Sequence, residues 1–389
     1  MAVTEFADNI GRFSIVLMWA ALIIRWRPAM KGRQQRGLWL AVLTAAIATT
    51  LFQPQIIDRA VDITGDAHAV TLSRNLVGVV AAGLTLLLFV GDSARPRRAG
   101  LITVVTLIGT ALALLGMDLV SGDPAGPSIP ADGGPATPSA AYWVLVCGAH
   151  LVADAAIVVI CWRYSRRTDD RDLVWSLRLF AFGSVLAAGY WAACLVHVYV
   201  RIPDALPYLA VIINVHGVSR ALTLLVPTAF SLARRARDAR TVWVLWPMWR
   251  DLSAAVPTIS LAPPRATRLR QFLRPRSPLA LQAHRQLIEI YDAVLHLQSH
   301  LSADVYRQAC DHAEDLRIAD HRVSAAALAG ALVRAQRAKL FGAPGHTATE
   351  SHALSHLGQA NKTLLLAMAR HWPSVSRALP VPKVVDTSP

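Results

Sequence analysis

Seven long runs of apolar residues fill the first 230 residues of the chain. A helix needs about 20 mostly apolar residues to cross a hydrocarbon layer of roughly 30 Å, and it satisfies its own backbone hydrogen bonds there. The runs lack the alternation of apolar and polar residues that marks barrel strands. The pattern therefore predicts an all-α protein in which residues 1–230 form a seven-transmembrane helix bundle. The predicted spans are approximately residues 8–25, 37–54, 70–91, 100–120, 140–162, 177–200 and 206–230.

Charged residues are distributed unevenly among the loops between these runs. Arginines follow the first, third, fifth and seventh runs, for example Arg97 and Arg167. Aspartates dominate the other loops, for example Asp62 and Asp132. Loops rich in lysine and arginine stay on the cytoplasmic side of a membrane. We therefore expect a multi-pass protein of the cell membrane with its N-terminus outside and its C-terminus in the cytoplasm.

Residues 231–278 are predicted to form an interfacial linker that is rich in tryptophan, arginine and, toward its end, proline. Within it, Trp243, Trp246 and Trp249 follow one another at intervals of three residues. Indole rings favour the headgroup zone of a bilayer, where arginines contact anionic lipid. We expect a helical segment that lies along the membrane surface. The alternative is a strip that docks a partner protein.

Helical periodicity returns after the linker and predicts an all-helical cytoplasmic domain at residues 279–372, followed by a flexible tail at 373–389. Arg285, Glu289 and Asp292 share the polar face of its first helix, opposite a broad apolar face. This polar face is expected to be solvated, and the alternative is a docking or regulatory surface. Further helices are predicted at residues 303–317, 320–341 and 348–372.

The formal net charge of +14 has a membrane explanation. The excess arginines lie in loops and in a linker that are predicted to face an anionic inner leaflet, which attracts basic segments. A lipid bilayer with such a leaflet is therefore the expected partner, and nucleic-acid binding is not expected. A cytoplasmic protein partner stays open, and the sequence does not determine the oligomeric state.

Motifs for enzymatic or metal chemistry are missing from the sequence. It contains no Walker A motif, glycine-rich dinucleotide turn, GxSxG or kinase signature, so we expect neither an enzyme nor a cofactor. His296 with His300, and His352 with His356, have the one-turn spacing of metal ligands, but no third ligand is in register. No metal site is therefore predicted.

Polar chemistry is concentrated inside two of the predicted spans. His150 and Asp154 lie one helical turn apart in the fifth span. His216 and Arg220 lie one turn apart in the seventh, close to Asn214. Such groups are costly in a membrane unless they face the bundle interior and satisfy one another. The simplest arrangement is a pair of Asp154 and Arg220 flanked by the two histidines. We interpret it either as an interhelical polar lock or as a ligand-binding or proton-linked site.

Three motifs resemble the signature of one protein family. They are LWPMWRDL at residues 245–252, PTISL at 257–261 and RQLIEIYD at 285–292. The family consists of actinobacterial membrane proteins with a seven-helix region followed by a C-terminal domain of unknown function, and its members are usually labelled transporters. The resemblance covers essentially the whole chain and implies transport of an unknown solute. Tyr291 departs from the family, whose members typically carry arginine there, and the resemblance assigns no residue roles.

A second function fits the same predicted architecture. A seven-helix membrane sensor or scaffold, whose cytoplasmic helical domain binds a regulatory partner, needs no internal repeat. The sequence shows no such repeat and no paired glycine or proline breaks of the kind found in inverted-repeat transporters. Transport is therefore the expectation that the resemblance provides, and the sensor or scaffold is the alternative.

Overall fold

The computed structural model describes residues 2–91, 96–121, 126–130, 134–202, 205–274, 277–315, 320–345 and 361–378. Within these residues the protein is all-α and contains no β-strand. The only extended pairing among them is an isolated bridge between Ser128 and Thr137. The predicted fold class is confirmed.

The described residues form thirteen α-helices. In chain order they are α1 (Ala2–Ala29), α2 (Arg33–Leu51), α3 (Pro54–Thr64), α4 (Ala67–Val90), α5 (Pro96–Ser121), α6 (Ala140–Ser165), α7 (Arg171–Val200), α8 (Leu206–Ala255), α9 (Arg268–Leu273), α10 (Leu279–Leu297), α11 (Ala303–Asp315), α12 (Asp320–Leu340) and α13 (Lys362–Ala378). Short 3₁₀ turns occupy Pro257–Ile259 and Gln298–His300.

The chain divides into two compact units, Met1–Ser231 and Leu232–Pro389. The division falls inside α8. We call the first the membrane unit and the second the C-terminal unit, and each is described by itself.

The membrane unit is built from helices of membrane-spanning length and composition. Six described helices, namely α1, α4, α5, α6, α7 and α8, are long and apolar enough to cross a bilayer. Large apolar side chains are also exposed on them, as expected for surfaces that face lipid, and Val120 is an example at 89% exposure. The chain is thus a multi-pass membrane protein.

A bend in the predicted second span changes the predicted number of seven membrane spans. The chain bends by 66° between Gln34–Leu51 and Pro54–Thr64, so the described helices give six spans, or seven if this bent pair counts as one broken span. Proline 54 explains the break, because proline has no backbone N–H to donate and disfavours helical backbone in the residue before it. Gln53 is accordingly extended, and α3 begins with Pro54 at its first turn.

Side-chain caps mark the starts of α6 and α7 in this unit. The Ser139 hydroxyl accepts from the backbone N–H of Tyr142 at the start of α6. The Asp170 carboxylate accepts from the N–H groups of Asp172 and Leu173 at the start of α7. Both caps satisfy donors that a helix start leaves without partners. A shared core that includes Met18, Ile157, Phe180 and Leu224 then packs α1, α6, α7 and α8 together.

The C-terminal unit has its own apolar core, and the tryptophan segment belongs to it. Leu245, Trp246, Met248 and Trp249 are buried there together with residues of α10, α12 and α13. Residues 231–278 are therefore not a linker throughout, because α8 continues to Ala255 and carries this segment. Proline 247 lies within the helix without ending it.

The end of the chain also differs from the predicted pattern. Helix α13 continues through Pro373 to Ala378, and Val375 is buried in the core, so the first residues of the predicted tail are helical and packed. The first part of the predicted helix 348–372 lies outside the described residues, and so does the end of the tail.

Candidate functional site

A cavity of about 380 Å³ lies within the membrane unit. Helices α1, α2, α4, α6, α7 and α8 contribute to its wall, together with Gln53 from the α2–α3 bend. All five residues of the predicted intramembrane cluster line it: His150, Asp154, Asn214, His216 and Arg220. The volume is within the range of about 300–1,000 Å³ that is usual for small-molecule sites.

The predicted pair of Asp154 and Arg220 lies in the cavity wall. Arg220 Nη2 is 3.8 Å from Asp154 Oδ1, which is within ion-pair range and too long for a hydrogen bond. The guanidinium instead donates to Phe180 O at 3.0 Å and to Ser184 Oγ at 2.8 Å. Ser184 also interacts with the Asp154 carboxylate. The acid and the base therefore form an ion pair without a direct hydrogen bond, and Ser184 contacts both of them.

Aromatic contact stabilises the same arginine. Its Cζ lies 3.6 Å from the centroid of the Phe180 ring, a distance typical of a close cation–π contact. The arginine side chain is 4% exposed, so its charge depends on Phe180, Ser184 and Asp154 for compensation. This network fixes the guanidinium against α7.

Both histidines are oriented by backbone carbonyl groups. His216 Nδ1 is 2.8 Å from Gly183 O, and His150 Nδ1 is 2.9 Å from Val146 O. A carbonyl oxygen can only accept, so the proton in each contact is on Nδ1. The His150 ring also stacks on Trp191, with centroids 3.9 Å apart. His150 also interacts with the backbone of Gly78. In the neutral form of His216, Nε2 is left as an acceptor.

Asn214 joins the first and last helices of the membrane unit. Its Nδ2 donates to Ala7 O at 2.7 Å. Gly11 permits this approach, because a Cβ at that position would lie only 3.0 Å from Asn214 Nδ2. The amide lines the cavity, and its oxygen keeps accepting capacity.

Helix α7 supplies partners that the sequence analysis missed. Phe180, Gly183, Ser184 and Ala187 recur at helical spacing, and Trp191 follows one turn later. All five lie on one face, which contacts the arginine or a histidine or lines the cavity. The signal was this stripe of small and aromatic residues, whose members carry no charge and so did not stand out.

The two site predictions in the C-terminal unit meet in one contact. Trp249 Nε1 donates to Glu289 Oε2 at 2.6 Å, and Leu261 N donates to Glu289 Oε1 at 3.3 Å. Glu289 is only 4% exposed, so this part of the predicted polar face is buried rather than solvated. Trp246 and Trp249 are likewise buried, at 6% and 5% exposure, and pack inside the protein instead of against lipid.

The other members of these two predicted sets are closer to the surface. Trp243 is 38% exposed, and Arg268 lies over its ring. Arg285 is exposed and Asp292 is half-buried on α10. On α10, Glu289 is therefore buried, whereas Arg285 and Asp292 are closer to the surface.

A second tryptophan–carboxylate contact lies nearby in sequence. Trp372 Nε1 donates to Asp251 Oδ2 at 2.9 Å, and Arg250 forms an ion pair with the same carboxylate at 2.7 Å. Gln336 donates to the Asp251 carbonyl oxygen at 2.8 Å. The motif at residues 245–252 thus connects α8 with α10, α12 and α13.

Potential metal ligands are not grouped in the described part of the chain. No set of three or more histidine, cysteine, aspartate or glutamate residues within it could hold an ion. His296 is exposed on α10, and His352 and His356 lie outside the described residues.

Comparison with known proteins identifies one match. Residues 233–380 match the model of a family of unknown function, DUF6545. The match covers nearly all of the C-terminal unit and contains the three motifs that carry the resemblance. It confirms the expected domain of unknown function in that part of the chain. Neither a curated protein nor a solved structure matches the chain.

Proposed function

We propose that the protein is a membrane transporter that binds a small solute in the cavity of its membrane unit. The observation that carries the proposal is the convergence of five polar side chains, from two helices, on one cavity of about 380 Å³. Ionisable residues inside a membrane bundle usually mark a solute or ion pathway. The family resemblance points to the same function.

The geometry of the cluster favours binding over a purely structural lock. A lock gains most from direct hydrogen bonds between its charges, because buried ions need close and complete partners. Here the Asp154 and Arg220 atoms are 3.8 Å apart and border open volume. Such an arrangement keeps part of the carboxylate available to a bound solute.

The orientation and location are part of the same proposal. The N-terminus is outside and the C-terminal unit is in the cytoplasm, where its arginines face an anionic leaflet and where it has access to a protein partner. The protein is not an enzyme. Reporter fusions at Pro138 should read as external, and those at Arg167 as cytoplasmic; the reverse result at either position would contradict this orientation.

The alternative of a sensor or scaffold is favoured by the C-terminal unit. This unit has a separate core and two tryptophan–carboxylate contacts that hold its helices together. A well-packed module of this kind is suited to binding a regulatory partner. In that case the solute would bind in the membrane unit without being carried across.

The experiment that tests the proposal measures binding and movement separately. The purified full-length protein is screened against amines, carboxylates, amino acids and sugars by thermal shift, and the solutes that stabilise it are tested for uptake into proteoliposomes. We expect uptake that is lost in Asp154→Asn and kept in Asp58→Asn, a matched change at an exposed position of α3. Binding without uptake would contradict transport and support the sensor.

A further inference from the structure

The charged groups of the cavity are unbalanced in favour of acids. A bound solute must satisfy the polar groups that it covers, because burying them without partners is costly. The charges and hydrogen-bonding groups of the cavity wall therefore constrain which solute fits. The solute class inferred from them rests on the proposed function and concerns the same site.

Arg220 is partly engaged by the protein. Nη1 donates one N–H to Phe180 O and Nη2 donates one N–H to Ser184 Oγ. Its Nε is fully enclosed in the protein and has no partner there, so a solute in the cavity does not reach it. Nη2 also lies 3.8 Å from Asp154 Oδ1, so an anionic solute that approaches this guanidinium meets the charge of the carboxylate.

His216 offers an acceptor to the cavity that it lines. Its Nδ1 proton is committed to Gly183 O at 2.8 Å, so Nε2 of the neutral ring has only a lone pair to offer. His150 interacts with the backbone of both Val146 and Gly78 and is therefore already engaged by the protein.

Other polar groups in the wall add acceptors. The hydroxyl proton of Thr49 points to the Ala45 carbonyl oxygen at 2.8 Å, so its oxygen faces a partner only as an acceptor. Asn214 uses one N–H of Nδ2 on Ala7 O, which leaves Oδ1 to accept and the second N–H to donate. Asp154 accepts through its carboxylate.

Charge and aromatic content agree with this imbalance. Two carboxylates, Asp8 and Asp154, line the cavity against one guanidinium, so with neutral histidines the wall has a net charge of −1. Phe52, Tyr190 and Trp191 also contribute to the wall, and aromatic faces attract cations.

We infer that the cavity binds an organic cation whose charged group carries N–H donors, that is, a primary amine or a guanidine. The ammonium or guanidinium group donates to Asp154 and to the lone pairs around it, and the apolar part of the solute contacts the aromatic wall. A carboxylate of the same size is repelled by the two acids.

The test uses three probes of similar size and different charge or donor content. They are 2-phenylethylamine, its N,N,N-trimethyl derivative and 3-phenylpropionate, each titrated calorimetrically into the purified full-length protein. We expect the amine to bind at least about tenfold more tightly than the trimethyl derivative, which is a cation without N–H donors, and the carboxylate to bind more weakly than either. Tighter binding of 3-phenylpropionate than of the amine would overturn the inference.

Variants and the wider screen separate this inference from the proposed function. Asp154→Asn should weaken amine binding at least about tenfold, whereas Asp58→Asn should not change it. If Asp154→Asn does not fold, the probe series on the unmodified protein decides by itself. If carboxylates or sugars bind and are transported while amines are not, the solute class is wrong and the proposed function holds. If no solute of any class is taken up, transport itself is wrong.

Discussion

Each unit of the protein buries a carboxylate, Glu289 in the C-terminal unit and Asp154 in the membrane unit, and the two are held in different ways. In the C-terminal unit, Glu289 accepts a 2.6 Å hydrogen bond from Trp249 and a second from the backbone of Leu261. In the membrane unit, Asp154 is 3.8 Å from its basic partner Arg220 and borders a cavity. The first acid has a donor on each oxygen, whereas the second is contacted by Ser184 and borders the cavity, where it has room for another partner.

The difference separates a structural contact from a candidate binding site. A buried acid with short, complete hydrogen bonds contributes to stability and has little left to offer a ligand. A buried acid with a distant counter-ion is less well compensated, and a solute can complete its coordination. Burial and charge are similar in the two places, so the position of the partner is what distinguishes them.

The largest expected effect comes from leaving one charge of the membrane cluster unpaired. Arg220→Ala removes the hydrogen bonds to Phe180 and Ser184 and leaves Asp154 without its counter-ion. Breaking a buried pair from one side typically costs about 3–5 kcal/mol. Asp154→Ala should destabilise by a similar mechanism, and the double variant should recover much of the loss. Unfolding of the detergent-solubilised protein by heat or denaturant measures all three.

The matched control for this series is Arg178→Ala, because Arg178 is exposed on α7. It should change stability far less than Arg220→Ala. Strictly additive effects of the two single changes would show that Asp154 and Arg220 do not interact. That result would contradict the ion pair on which the comparison with Glu289 depends.

A smaller loss is expected from the tryptophan partner of the other acid. Trp249→Phe keeps an aromatic ring in the core and removes the N–H that Glu289 accepts. Hydrogen bonds to charged groups contribute about 1.5–3 kcal/mol, so the C-terminal unit should lose about that much. Trp243→Phe is the control, because this side chain is 38% exposed, and it should stay within about 0.5 kcal/mol. The free energy of unfolding is measured by denaturant titration. Equal losses in the two variants would contradict a structural role of the Trp249–Glu289 hydrogen bond.

The residues of the membrane cluster could be predicted from the sequence, but their contacts could not. One-turn spacing places His150 with Asp154, and His216 with Arg220, on common helix faces. The Asp154–Arg220 separation depends on how α6, α7 and α8 are rotated in the packed bundle. The role of Ser184 between the two charges follows from that packing, and an uncharged serine gives no sequence signal for it.

The tryptophan segment shows a second limit of sequence reasoning. Indole rings are common both at membrane surfaces and in cores, since they combine a large apolar area with one donor. The three-residue spacing of Trp246 and Trp249 puts them on one helix face in either environment. The contact with Glu289, 40 residues further along the chain from Trp249, and the surrounding core determine that the rings are buried. The bend at Pro54, in contrast, has a local cause that the sequence displays.

Asp251 gives an intermediate case that sharpens the comparison. Its side chain is 24% exposed, and it is held by both Arg250 and Trp372. Asp251→Asn keeps an oxygen for Trp372 and loses the charge that Arg250 pairs with, so the expected loss is about 1 kcal/mol. Asp304→Asn is the control, because Asp304 and its partner Arg307 are both about three-quarters exposed. The order of loss should be Trp249→Phe, Asp251→Asn, Asp304→Asn, and a different order would mean that burial of the acid does not set the effect.

The smallest effect concerns a charge contact at the surface of the same unit. Arg268 stacks over the ring of Trp243 at 4.0 Å and donates from Nε to the Trp243 carbonyl oxygen at 2.8 Å. Burial lowers the pKa of Arg268 from its ordinary value, which marks a partly desolvated cation. Arg268→Lys keeps the charge and loses the planar group that stacks and the Nε donor, at a cost of about 0.5 kcal/mol. Arg270→Lys, at an exposed position of α9, should cost less than the error of the denaturant titration. If Arg268→Lys is as costly as Trp249→Phe, surface contacts stabilise this unit as strongly as its buried acid does. Burial and hydrogen-bond distance would then not explain why Glu289 is a structural contact and Asp154 a candidate binding site.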